Sequence, residues 1–138
     1  VTHEHAADFI AGADQRPPGP DGQQINYDLI GELIGAAFDG CTSCQDVAIT
    51  LVVEDAATCA RLVELACVAV AGTLGGLPAN LTSNRAPGLA SPHFRRLARV
   101  GFDGHNHRLY VECAQMIPSR RRDAANTAVD LLVGIMTT

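Results

Sequence analysis

Two short segments carry residue types and spacings that can do chemistry together. In Cys41-Thr42-Ser43-Cys44 two thiols stand two residues apart, a spacing that can hold one metal ion or form a redox pair with a lowered thiol pKa. In His105-Asn106-His107 two imidazoles flank one residue. Together Cys41, Cys44, His105 and His107 make a Cys2His2 set, with the ligand count and softness for tetrahedral zinc. The two pairs are far apart in sequence, so no local finger forms and only the fold can join them. With four protein ligands such a site is structural; if one imidazole falls short, a water can take its place and hydrolytic chemistry opens. Each pair also has a plainer use. The cysteines suit a tight turn as small side chains, and the histidines suit an exposed turn.

The remaining cysteines are Cys59, Cys67 and Cys113. Buried thiols mostly pack as small hydrophobes, although a bundle interior lined by several of them can hold soft Cu(I). His93 is a candidate base for a nearby cysteine. Arg95, Arg96 and Arg99, with Arg120, Arg121 and Arg122, offer an anion or partner patch or, more plainly, a solvated helix face. The sequence has no Walker loop, dinucleotide fingerprint, HExxH or GxSxG, the short motifs with a known catalytic geometry. Its carboxylates are scattered and suggest no acid–base couple.

The elements that must position these residues read as helices. Asn26 can cap a helix with Leu29, Ile30, Leu33, Ile34, Ala37 and Phe38 on one stripe, stopped by Gly40. Ser43, three residues before Asp46, resembles a capping arrangement for the segment 47–53. That segment is β-branched and short, so strand competes with helix there. Asp55 caps the next element, from Ala56 to about Leu74, which is apolar on most sides and forms the centre of the fold. Ser91-Pro92 is a strong helix start, and Phe94, Leu97, Ala98 and Gly101 follow at helical spacing with Arg95, Arg96 and Arg99 opposite. Asp103-Gly104 either closes that helix or turns a hairpin between strands at 96–102 and 108–115. The spacing of Leu109, Cys113, Met116 and Ile117 favours helix. After Pro118 the last stripe comprises Ala124, Ala125, Ala128, Leu131, Leu132 and Ile135. The expectation is a mainly α, compact single-domain bundle of four to six helices, with an α+β fold carrying a small antiparallel sheet as the alternative.

Residues 1–24 include Arg16-Pro17-Pro18-Gly19-Pro20, which cannot continue a helix. They read as a flexible Pro/Gly-rich arm before a globular domain over 25–138. The 138 residues make one domain, able to bury roughly 68% of its unfolded surface. Hydrophobic residues at 47% and charged residues at 18% exclude a disordered chain. A net charge of −5 argues against general nucleic-acid binding, which rests on a basic surface. No basic start with an apolar run marks export. The uncharged stretch 65–84 is broken by Gly72, Gly75, Gly76, Pro78 and Asn80, which argues against a membrane span. Five cysteines, an odd number without an export signal, suggest reduced thiols and a cytoplasmic protein.

The function expected from these features is that of a non-catalytic accessory or regulatory protein. It would act through contacts with a protein partner or with copies of itself, without cofactor. The alternative is a transition-metal protein, zinc before copper, using Cys41 and Cys44 with His105 and His107. A third reading is a cysteine-dependent enzyme using Cys41 or Cys44 with His93.

Overall fold

The computed structural model describes residues 18–20, 22–75, 91–102 and 106–136. Among them the chain forms six helices and no strand: α1 (Tyr27–Phe38), α2 (Thr42–Glu54), α3 (Ala56–Leu74), α4 (Pro92–Phe102), α5 (Asn106–Gln115) and α6 (Pro118–Met136). The helical reading therefore holds over 47–53, 96–102 and 108–115, and the small-sheet alternative falls. Asp103 and Gly104, the proposed hairpin turn, lie outside the described residues.

Local chemistry sets the helix ends. Asn26 Oδ1 accepts the Leu29 N–H at 3.1 Å, which starts α1. Its far end is a Schellman closure. Gly40, at φ +72°, donates its N–H to Ala37 O, and Cys41 donates to Ala36 O at 2.9 Å, satisfying carbonyls the helix leaves open. The chain turns directly into α2, so Cys41, not Ser43, occupies the cap position, and it makes no side-chain cap bond. Asp55 both ends α2 and caps α3, its Oδ1 accepting the Thr58 N–H at 3.2 Å.

Thr58 then joins two helix starts. Its fully buried hydroxyl donates to Asp55 Oδ2 at 2.8 Å and accepts the Asn26 N–H at 3.0 Å. A buried hydroxyl with both roles filled carries no desolvation deficit.

Helices α3 and α6 form the spine, and α6 also packs on α1, α2 and α4. Ile30, Leu33, Ile34, Ile49, Val52, Leu62, Val63, Phe94, Leu97, Leu109 and Val129 are sealed in one apolar core. By length and mean hydropathy (1.6) α3 passes the test for a bilayer span, yet it is packed against α6, α5, α4 and α2 as the bundle's central helix. Two expected core residues differ. Phe38, the last residue of α1, is 49% exposed, and Ile117, beyond the end of α5, is 56% exposed.

The last residues of the expected arm lie against this bundle. Gly19 donates to Gln23 O, and the Pro18 carbonyl accepts a bond from Arg61 Nη2 at 2.8 Å. Arg61 stacks over the Tyr27 and Tyr110 rings at 5.9 and 5.7 Å and pairs with Glu64 at 3.2 Å. The Tyr110 hydroxyl donates to Glu64 Oε1 at 2.9 Å. Arg61 thus sits between two rings that attract its charge.

Candidate functional site

The α4 start is sewn to α6 by one serine. Ser91 Oγ accepts the Phe94 N–H at 3.2 Å, and the Ser91 N–H donates to Thr127 Oγ1 at 3.2 Å. This anchoring places His93, in the first turn of α4, 3.9 Å from the Asp123 carboxylate of α6. One turn on, Arg96 donates from Nε to Glu112 Oε2 at 3.2 Å, and Arg108 approaches Glu112 Oε1 at 3.7 Å. His93, Arg96, Glu112, Gln115, Met116 and Arg120 line a cleft of about 310 Å³ between α4, α5 and α6.

This cleft is polar. Arg96 and Arg120 supply two positive charges and Glu112 one negative charge, so a small anion or a polar amide suits it better than an apolar ligand. Its described lining includes no thiol, so His93 faces Asp123 and the cleft rather than a cysteine. Helix α4 packs on α3, α5 and α6, whereas Cys41 caps α2 and Cys44 lies in its first turn.

The six arginines do not make one patch. Arg96 and Arg120 flank the cleft and Arg99 is exposed, but Arg95, expected on the solvated face, is only 7% exposed. Arg121 turns inward, donating from Nε to Val53 O at 2.8 Å and from Nη1 to Met116 O at 2.7 Å. Arg122 pairs with Asp46 and donates to Thr50 Oγ1 on α2. Arg121 and Arg122, in the first turn of α6, thus reach neighbouring helices, and Arg121 faces the carbonyl ends of α2 and α5, where positive charge is favourable.

Cys41 and Cys44 are half-buried at the N-terminus of α2, with Cys41 Sγ 3.8 Å from Ser43 Oγ. His107 is exposed in the first turn of α5, and His105 lies outside the described residues. Among the described residues, no three His, Cys, Asp or Glu side chains are grouped as metal ligands.

The two sealed thiols are others. Cys59 of α3 and Cys113 of α5 are both fully buried, and the Cys59 thiol donates to the Arg121 carbonyl at 3.7 Å. The influence of Cys113, then burial, raises the Cys59 pKa, while the influence of Cys59, helped by the Arg121 charge, lowers that of Cys113. Cys67, further along α3, is isolated from them; burial pushes its pKa up to about 12. Sequence spacing marks Cys59 and Cys113 as helical core positions, and both are sealed there.

Comparison with protein-family models, with curated proteins and with solved structures gave no match to this chain.

Proposed function

We propose that the chain is a non-catalytic accessory module that works by associating with a second copy of itself through the outer face of α2. The observation that carries this reading is the exposure of Val47 and Leu51, at 62% and 48%. They lie one turn apart on the same helix face, and Phe38 is exposed at the end of the adjoining α1. Isolated exposed aliphatics are ordinary, but apolar side chains grouped on one helix, rimmed by polar ones, are the usual mark of a contact surface. Here the rim is Thr42, Ser43, Asp46, Thr50 and Glu54, on the solvent side of α2. A module of this kind needs no catalytic group, in keeping with a sequence that carries none of the recognised catalytic motifs.

Sedimentation velocity over a wide concentration range tests it. The chain sediments as an oligomer, and Val47→Glu with Leu51→Glu returns it to monomer with an unchanged helical spectrum. A monomer at every concentration overturns the reading.

A further inference from the structure

The cleft between α4, α5 and α6 is richer in hydrogen-bond donors than in acceptors. Arg96 gives its Nε–H to Glu112 Oε2 at 3.2 Å, which leaves both of its Nη groups outside that bond. Arg120, in the first turn of α6, lines the same cleft and makes no ion pair among the described residues. His93 adds a ring N–H and Gln115 an amide NH2. On the acceptor side stand Glu112 and the Gln115 side-chain carbonyl. Glu112 is already committed, with Arg96 on one oxygen and Arg108 3.7 Å from the other. The remaining carboxylate nearby, Asp123, faces His93 at 3.9 Å and is not part of the lining.

This inventory decides between ligand chemistries. A neutral amide asks its site for acceptors as well as donors, and the acceptors here are largely spent. An oxyanion asks for donors only, and a guanidinium presents them as a fork that matches carboxylate and phosphate oxygens. The chain carries −5 overall, so its long-range field does not draw anions in. Affinity has to come from these particular groups.

We propose that the cleft binds a small organic oxyanion, its carboxylate or phosphate group held between Arg96 and Arg120. The volume of about 310 Å³ is more than such a group fills alone, and half-buried Met116 offers apolar lining for a short carbon chain. Glu112, only 13% exposed, holds one edge of the Arg96 guanidinium in place. The site is built from α4, α5 and α6, so it stands or falls separately from self-association through α2.

The test is calorimetric titration of the full chain with inorganic phosphate and, in a second arm, with succinate, both at constant ionic strength set with chloride. Saturable one-to-one binding of either probe is expected, and the arm that binds more tightly assigns the group. Arg120→Met removes one guanidinium that makes no ion pair in the fold, and weakens binding by about tenfold or more. Arg99→Met removes an equal charge from the exposed side of α4, outside the lining, and leaves affinity unchanged. In proton NMR the imidazole resonance missing from His93→Asn shifts along the same saturation curve, which locates the probe without relying on either arginine variant. No saturable binding of either probe, equal weakening by Arg99→Met and Arg120→Met, undiminished binding in Arg120→Met, or a His93 resonance that does not move each overturns the proposal.

Discussion

Arg121 of α6 donates its Nε–H to the carbonyl of Val53, in the last turn of α2, at 2.8 Å. The same guanidinium reaches Met116 O just past the end of α5 at 2.7 Å, so one cation terminates two helices. Carbonyls at a helix end have no partner within the helix, and a charged donor to them contributes more than a neutral one. Arg121→Met should therefore lower unfolding free energy by about 2–4 kcal/mol, read from urea denaturation. Arg121→Lys should recover part of the loss, since it keeps the charge but not the fork. A change below about 0.5 kcal/mol in both variants is the contrary result.

Thr58 offers a sharper test, because its hydroxyl serves both Asp55 and the Asn26 N–H. Thr58→Val keeps the shape and removes both bonds, leaving the Asp55 carboxylate and the Asn26 N–H unpaired in a partly buried place. The expected cost is about 1–3 kcal/mol. Thr58→Ser keeps the bonds and should lose less; equal losses would assign the effect to packing instead.

Gly40 has φ +72°, and a Cβ there would meet nothing within 4 Å. Gly40→Ala thus isolates backbone strain from crowding and should cost about 1 kcal/mol. The denaturation midpoint should move without any change in helical circular dichroism.

Alkaline pH should weaken the fold in a defined way. Cys67 is held protonated by burial up to about 12, against an ordinary thiol value of 9.0. Burial, then Glu64, likewise raises the Tyr110 hydroxyl. In each case the unfolded chain ionises first, so the folded state binds more protons and stability falls as pH rises. For Cys67 the contribution is intact below pH 9 and is lost as pH climbs toward about 12. Cys67→Ala should flatten the slope of stability against pH across that window, whatever it does to absolute stability. An unchanged slope would count against the thiol.

The caps at Asn26, Asp55 and Ser91 were legible because each is a local bargain between a side chain and N–H groups two or three residues ahead. Ser43 misled for a local reason too: the Gly40 closure ends so tightly that the next helix begins before the serine. The stripes of α1, α4 and α6 follow from spacing. What spacing lacks is the partner across the core. The inward turn of Arg121, the burial of Arg95, the cleft between His93 and Arg120, and the bond from the Cys59 thiol to the Arg121 carbonyl all depend on how separate helices dock. The two cysteine and histidine pairs looked stronger on paper because their members are neighbours in the chain, a property that says nothing of how one pair lies relative to the other.

The position of α6 in the bundle has a consequence for biosynthesis. It packs on α1, α2, α3 and α4, yet it leaves the ribosome after all of them. Translation at about 5–20 residues per second keeps the earlier helices waiting for several seconds with the apolar faces meant for α6 open to water. During that interval the nascent chain is a natural client for a chaperone that shields apolar surface, and synonymous codons that slow the stretch between α5 and α6 should lengthen its dependence.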